Sequence, residues 1–220
     1  MAIYNDGILG GFSGKIGPVV GSRWRGKNVL RSLPRKSTVP PSNKQVAQRD
    51  RFAFAVHFLS PLSWLLTQTF TFFMGASGPY RAALSYHLKH AVVATPNGFE
   101  WKFSSVLIST GQLRGLQAPR LLVAAEPGLL LQWEDNSHQA LAHPTDVLTV
   151  VLYVSQQHEF YYFEDAALRA DGEAQLPIPE FLWNKPLVVW AFFRTALEAT
   201  GEAHIATSDY LGNIVVVKPA

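Results

Sequence analysis

The spacing of hydrophobic positions changes twice along the chain and divides it into three segments. In residues 1–41 the apolar residues form two short runs, Val19–Trp24 and Asn28–Ser32, joined by a turn that contains glycine. This pattern predicts a β-hairpin, which is only marginally stable in water when it is isolated. We therefore expect residues 1–41 to form an extended β arm that needs a partner surface, with a proline-rich linker from Leu33 onward.

Helical spacing begins at Ser42. Ser42 and Gln45 fit a capping box, in which each side chain bonds the backbone N–H of the other residue, and apolar residues follow at helical spacing. Pro61 is expected to break or kink this helix, and a second amphipathic helix is predicted over Tyr80–Val93. We therefore expect residues 42–116 to be a segment with two helices.

The stretch Phe58–Tyr80 contains no charged residue and is long enough to cross a membrane, which takes roughly 20 residues. It also contains Pro61, Gln68 and three threonines, and it ends in Gly-Ala-Ser-Gly-Pro. Polar residues and helix breakers at this density disfavour a membrane helix. We expect a buried core or interface helix and no membrane span.

Short apolar runs separated by turn residues fill residues 117–220 and indicate an antiparallel β-sandwich. The predicted strands are Leu121–Ala125, Leu129–Trp133, Val147–Val154, Phe160–Phe163, Ala174–Ile178, Leu187–Phe193, His204–Ser208 and Ile214–Val217. A strand ending in tryptophan, followed by a long apolar strand, resembles fibronectin type III and immunoglobulin-like modules. The predicted fold class is α+β, with an N-terminal extended β arm, a two-helix segment and a C-terminal fibronectin III/immunoglobulin-like β-sandwich.

Composition narrows the choice of chemistry and environment. Charged residues make up 16% of the 220 residues, compared with about 25% in typical soluble domains, which suggests that some surface is buried against another molecule. The chain has no cysteine, which excludes disulfides and thiolate metal sites. The N-terminus lacks a basic segment followed by an apolar run, so we expect no secretory signal peptide and synthesis in the cytoplasm. An extracellular filament or a virus-like particle is compatible with this only through another export route or lysis.

Charge is distributed unevenly along the chain. Residues 1–50 contain nine Lys and Arg against two Asp, a net charge of +7, and the remainder contains ten against fourteen acids, a net charge of −4. A basic arm on an acidic body suits binding to nucleic acid. It equally suits head-to-tail contact between copies of the same chain.

Residues 21–27 match the G-x-x-x-x-G-K pattern of a phosphate-binding loop, but Asn28 stands where Ser or Thr would hold magnesium. Such a loop must also lead into a helix, whereas a β-like run follows here, so we expect no nucleotide site. Single-stranded nucleic acid is a stronger alternative, because cations are interleaved with Trp24. A solvated arm whose Trp24 packs on its own body explains the same pattern. The cations are Arg23, Arg25, Lys27, Arg31, Arg35 and Lys36.

A glycan platform is a further alternative, since aromatic side chains crowd the predicted sandwich, although core and interface packing explains most of them. These residues are Tyr153, Phe160, Tyr161, Tyr162, Phe163 and Trp183.

Enzymatic chemistry has little support in the sequence. His87 and His90 share a helix face, but no third metal ligand follows at a suitable spacing, so we expect a solvent-facing pair and no metal. The acidic pairs that begin at Glu134 and Glu164 follow strands and read as turn residues. No nucleophile motif occurs. We expect no enzyme activity, no cofactor and no small-molecule substrate.

Several motifs resemble an uncharacterised family of Bacteroidetes proteins. They are GGFSGKIGPVVGSRWRGKNVLRS at residues 10–32, Pro41-Ser42 through Gln45 and Gln48 to Phe52, Ala83-Leu84-Ser85-Tyr86, and Tyr210-Leu211-Gly212. The resemblance covers nearly the whole chain and implies no activity, cofactor or catalytic residue. The pattern P-x-x-x-Q-x-x-Q-R-x-x-F is similar, more weakly, to segments of some phage particle proteins, which implies assembly.

These observations favour a non-enzymatic structural protein that polymerises head-to-tail with copies of itself, as a filament, tube or particle shell. An extended arm can add to the sheet edge of a neighbouring subunit, and such a contact forms rings or open filaments. The rival hypothesis is a monomeric binding module for glycan or nucleic acid. The predicted arm residues are Gly14, Ile16, Val19, Val20, Trp24, Val29 and Leu30, with basic contacts from Arg23, Arg25, Lys27 and Arg31.

Overall fold

The structure is a computed structural model whose backbone groups into two compact units, Met1–Val46 and Ala47–Ala220. The residues it describes are 2–3, 12–24, 26–34, 39–71, 78–124, 128–195 and 204–217.

The first unit contains a four-stranded antiparallel sheet. Its strands are β1 (Ala2–Ile3), β2 (Gly14–Ile16), β3 (Val19–Trp24) and β4 (Lys27–Ser32), in the order β1-β4-β3-β2. The predicted hairpin is therefore the centre of a larger sheet. Both of its tight turns contain a glycine with positive φ, Gly17 at 56° and Gly26 at 79°, as two-residue hairpin loops require.

The described residues that follow contain three helices, whereas the sequence predicts two: α1 (Asn43–Leu59), α2 (Ser63–Thr69) and α3 (Pro79–His90). The capping box at the start of α1 is present, since the Ser42 N–H donates to Gln45 Oε1 at 3.0 Å and the Gln45 N–H donates to Ser42 Oγ at 3.4 Å. Pro61 separates α1 from α2, as expected from its missing N–H. The end of the predicted second helix instead begins a hairpin of β5 (Val92–Thr95) and β6 (Gly98–Trp101).

Seven more strands form two antiparallel sheets. One has the order β10-β9-β12-β13 and the other β11-β8-β7. This makes the chain a mixed protein with helices and antiparallel sheets, which agrees with the α+β class. The strands are β7 (Gln117–Val123), β8 (Gly128–Glu134), β9 (Val147–Val154), β10 (Glu159–Phe163), β11 (Glu173–Pro177), β12 (Pro186–Arg194) and β13 (Asp209–Val215).

The four-stranded sheet of the second unit is covered on both faces. On one face the Trp133 ring of β8 lies 5.7 Å from the Phe193 ring. On the other face Phe58 of α1 lies 4.9 Å from Tyr153. Since side chains alternate along a strand, the central strands must be apolar at nearly every position, as buried parallel strands usually are.

One hydrophobic core extends from Ala55 to Val216, so the helices and both sheets of the second unit share it. The boundaries expected after residues 41 and 116 stay a prediction.

The prediction that His87 faces solvent is wrong. His87 is fully buried, because α3 places it on the same face as Ala83 and Leu84. Its Nδ1 lies 2.7 Å from the Ala83 carbonyl oxygen, and its Nε2 accepts the Leu107 N–H at 3.2 Å. Burial lowers the pKa of His87 to about 4, although both backbone hydrogen bonds oppose this. The side chain is therefore a neutral link between α3 and the segment after β6 that contains Leu107.

Arg169 is a second buried polar side chain and joins several loops. Its Nε donates to Asp146 Oδ2 at 2.9 Å, and its Nη2 donates to the Arg114 carbonyl at 2.8 Å. The guanidinium carbon lies 3.9 Å from the centre of the Phe193 ring. Burial lowers the pKa of Arg169, and the neighbouring Asp146 opposes that shift. Asp146 also accepts the His143 N–H at 2.9 Å and so stabilises the turn between these two residues.

Candidate functional site: the N-terminal sheet

Ten of the eleven residues predicted for the assembly arm lie in described strands of the first unit. Arg25 lies outside the described residues. Gly14 and Ile16 are in β2, Val19, Val20, Arg23 and Trp24 are in β3, and Lys27, Val29, Leu30 and Arg31 are in β4.

Strand register sorts these side chains onto two faces. Lys15 pairs with Val20 and Val20 pairs with Arg31, while Trp24 pairs with Lys27. Paired residues in an antiparallel sheet project to the same side, and residues two apart along a strand share that side. We call this side the basic face. It consists of Lys15, Val20, Ser22, Trp24, Lys27, Val29 and Arg31.

The opposite side, which we call the glycine face, has a different character. It carries Ile16, Val19, Gly21, Arg23 and Leu30. The basic face thus collects three of the four cations in the described strands of this sheet, and Trp24 lies among them. Sequence reasoning missed Lys15 as a basic contact. Its place on the basic face follows only from the pairing of β2 with β3.

Phe12 closes over the glycine face. A Cβ atom added at Gly21 would lie 2.6 Å from the Phe12 carbonyl oxygen and 2.6 Å from its ring. Such a distance is too short for non-bonded atoms, so only glycine lets the chain pass this closely. Gly21 is therefore a packing position as well as a strand residue.

Burial in this unit is sparse. Within residues 12–24 and 26–34, only Gly21 and Val29 are buried. Ile16 is 58% exposed and Trp24 is 56% exposed. A sheet with so little apolar burial gains little stability from its own core.

The electrostatics of this segment are one-sided. No Asp or Glu occurs between residues 7 and 49. Counter-charge for Lys15, Lys27 and Arg31 must therefore come from outside the segment. Long-range attraction to an acidic surface follows, and it weakens as salt is added.

The register also excludes the phosphate-binding loop. Trp24 pairs with Lys27, so the described residues of the G-x-x-x-x-G-K pattern lie on a hairpin. A phosphate cradle needs the loop to run into a helix whose N–H groups converge on the anion. Lys27 instead begins β4.

The aromatic side chains that the sequence suggests for a glycan platform do not share one surface of the second unit. Tyr153 is buried at 3% exposure, and the Trp183 Nε1 donates to the Ile178 carbonyl at 3.0 Å. Tyr161 donates its hydroxyl to Glu159 Oε2 at 2.6 Å, and this carboxylate raises the pKa of Tyr161 to about 12. Because neighbours on β10 alternate in direction, Tyr161 and Tyr162 project to opposite sides.

Within the described part of the chain, no group of three or more His, Cys, Asp or Glu side chains is arranged to hold a metal ion. The described helices include none that is long and apolar enough to cross a membrane.

Comparison with known proteins places the chain in a family. Residues 11–212 match the model of the family of unknown function DUF6266, and the chain belongs to that family. The matched range begins next to Phe12 and includes the whole β2–β4 part of the N-terminal sheet. No curated protein and no solved structure is significantly similar to the chain.

Proposed function

We propose that this protein is a non-enzymatic structural subunit that self-assembles through its N-terminal sheet. The observation that carries the proposal is the low burial of that sheet, which gives it little stability of its own. It leaves Ile16 and Trp24 more than half exposed and buries only Gly21 and Val29 among residues 12–24 and 26–34. A partner surface would supply the missing burial.

Open strand edges support the same proposal. The three residues of β2 are all exposed and pair only with β3 in the described sheet. An unpaired edge offers N–H and C=O groups to a further strand. In the second unit the edge strand β7 leaves Leu122 and Val123 about half exposed, at 47% and 49%.

Charge favours a copy of the same chain as the partner. The basic first fifty residues and the acidic remainder complement each other, and complementary charge speeds association and fixes orientation. A contact between the arm of one copy and the body of the next joins two different surfaces. Repeated contacts of that kind give a ring or an open filament. A filament, a tube or a particle shell are the expected products.

The finer fold assignment is part of this proposal. With the strands from β7 to β13 lettered A, B, C, C′, E, F and G in chain order, the two sheets read A-B-E and C′-C-F-G. Immunoglobulin-like sandwiches set C, F and G against A, B and E in this way. Here the helices cover the outer face of the second of these sheets, which leaves its edges and the A-B-E sheet for contacts.

The test compares the full chain with a version that lacks residues 1–41, using light scattering and negative-stain microscopy. Polymers from the full chain and monomers from the truncated chain are expected. Truncated chains added in small proportion should also shorten the polymers, because they can accept an arm but cannot donate one. Monomers from the full chain at high concentration would reject the proposal.

A matched set of point variants tests the basic face. Reversing charge with Lys15→Glu, Lys27→Glu and Arg31→Glu should prevent assembly. Arg23→Glu on the glycine face changes the net charge by two, whereas the triple variant changes it by six, and it should slow assembly only modestly. Equal effects per charge on both faces would show that total charge matters and that the face does not.

Single-stranded nucleic acid is the second candidate, because the basic face surrounds one exposed aromatic ring, Trp24, with cations. Binding would weaken steeply with salt, since displaced counterions drive it. Assembly through apolar contacts would change less. Oligonucleotide binding measured at two salt concentrations, on the wild type and the triple charge variant, separates the two functions.

A further inference from the structure

A pocket of about 330 Å³ opens in the second unit between α2 and the four-stranded sheet. This volume lies at the lower end of the range of about 300–1,000 Å³ that small-ligand sites occupy. The lining mixes two aromatic rings with five polar side chains. The lining residues that matter here are Trp64, Gln68, Thr149, Glu164, Phe192 and Arg194.

Thr149 carries a buried hydroxyl without a partner. The residue is 2% exposed, and its Oγ1 has no hydrogen-bond partner within the described residues. Buried hydroxyls are normally satisfied, as in the adjacent lining residue Thr69, whose Oγ1 lies 2.7 Å from the Ile108 carbonyl oxygen. An unsatisfied hydroxyl in a pocket wall is explained if a bound molecule completes it.

Trp64 gives the pocket one exposed aromatic wall. Trp64 is 44% exposed, and its ring stands edge-on to Tyr162 with centroids 5.6 Å apart and planes at 68°. Phe192 is 1% exposed and lies opposite Thr149 in the sheet register. Contact with Tyr162 fixes the Trp64 ring from one side and leaves part of it exposed for stacking.

The polar groups point to a neutral ligand. Arg194 lies at the wall and already binds Asp165, with Nη2 2.6 Å from Oδ1. An anion would approach the Glu164 carboxylate, and a cation would approach the Arg194 guanidinium. Hydroxyl groups can donate to a carboxylate and accept from a guanidinium or an amide. These groups come from α2, β9, β12 and a loop, so they face the pocket from several sides.

We propose that this pocket binds one neutral sugar ring, with a C–H face against Trp64 and a hydroxyl completing Thr149. None of the aromatic residues that the sequence suggests for glycan contact lines this pocket, although Tyr162 packs against Trp64. This site goes beyond the assembly function and does not depend on it. Sugar binding by a chain that stays monomeric would support this site while rejecting assembly.

Calorimetric titration of the full chain with a panel of neutral hexoses and N-acetylhexosamines tests the proposal, with glucosamine and glucuronate as charged probes. Saturable binding of at least one neutral sugar at millimolar concentration is expected, with weaker binding of its charged analogues. Trp64→Ala should abolish binding. Thr149→Val removes one hydrogen bond and should weaken binding about tenfold.

Phe181→Ala is the matched control, because Phe181 is an aromatic side chain of 54% exposure outside this pocket. Its affinity should equal that of the wild type. Thr149→Val should keep or raise the melting temperature, since it removes an unsatisfied group, and so its binding loss cannot be ascribed to unfolding. The absence of saturable binding by every neutral sugar, or binding that survives Trp64→Ala, would overturn the proposal.

Discussion

The central strand pairs of the two units, β3–β4 and β9–β12, have the same antiparallel geometry but very different surroundings. In β9 every residue from Leu148 to Val154 is buried, and in β12 every residue from Leu187 to Phe193 is buried. In β3 and β4 only Gly21 and Val29 are. The second unit therefore buries the apolar side chains of its central strands, whereas the first unit leaves much of its apolar surface exposed.

The largest expected contrast comes from one tryptophan in each unit. Trp190 is fully buried in β12, and Trp190→Ala should lower the free energy of unfolding by about 3–5 kcal/mol. Trp24→Ala in the exposed sheet should change it by no more than about 0.5 kcal/mol. Urea unfolding followed by circular dichroism measures both values. Trp190→Phe is the control, since the Nε1 of Trp190 has no partner among the described residues. Similar losses from both alanine variants would contradict the contrast.

A second contrast concerns charges, which are buried and paired in one unit and exposed in the other. Asp146→Asn leaves the Arg169 guanidinium buried without its ion-pair partner and should cost about 3–5 kcal/mol. Combining it with Arg169→Met should recover part of this loss, because no unpaired charge then remains. Urea unfolding of the two single variants and the double variant gives the coupling. Additive losses would show that the pair does not act as a unit.

Acid should affect the second unit selectively. The pKa of His87 is about 4 in the fold, against about 6.5 in an unfolded chain. The unfolded state thus gains a proton below pH 6.5 while the folded state stays neutral until about pH 4. Stability is full above pH 6.5 and falls by about 3 kcal/mol as the pH drops to 4.

Unfolding of the wild type and of His87→Gln across this pH range isolates the contribution of His87. The variant should be less stable at pH 7 and should lose less on acidification. Residues 7–49 contain no Asp, Glu or His, so the charge of that segment stays constant over the same range. An unchanged pH slope in His87→Gln would show that other groups cause the acid sensitivity.

The smallest expected effect is local to the N-terminal sheet. Gly21→Val must displace Phe12, because even a Cβ atom at this position comes within 2.6 Å of it, and overpacking of this kind costs about 1–3 kcal/mol. Hydrogen exchange of the backbone amides in residues 12–34 should rise, while the second unit stays protected. Ser22→Val adds bulk to the opposite face and is the control. Equal exchange in the two variants would rule out the close packing at Gly21.

Local sequence signals predict the elements that local contacts determine. The bounds of β3 and β9 agree with the predicted runs, and the Ser42–Gln45 capping box is where the pattern places it. These elements need only neighbours in sequence, namely turn glycines, alternation and a cap. The sequence predicts a buried helix within Phe58–Tyr80 but not the bounds of α2, since its seven residues are too few to show a helical period.

Features that depend on distant residues were not predictable from one sequence. The pairing of β1 with β4 brings together residues that are far apart in the chain, and it changes a hairpin into a sheet. Grouping of Lys15 with Lys27 and Arg31 requires the register of three strands. The sequence does contain a signal for the burial of His87, because Ala83 and Leu84 lie four and three residues before it and share its helix face. Its polar ring nevertheless favoured the prediction that it faces solvent.

Coverage of the four-stranded sheet on both faces has a consequence for the unfolded chain. The segment Val147–Val154 reads VLTVVLYV and contains no charge, proline or glycine. Segments with these properties form tightly interdigitated cross-β contacts when they meet copies of themselves. Heating concentrated protein is therefore expected to end in irreversible aggregation, and the lifetime of the native state will depend on its unfolding rate.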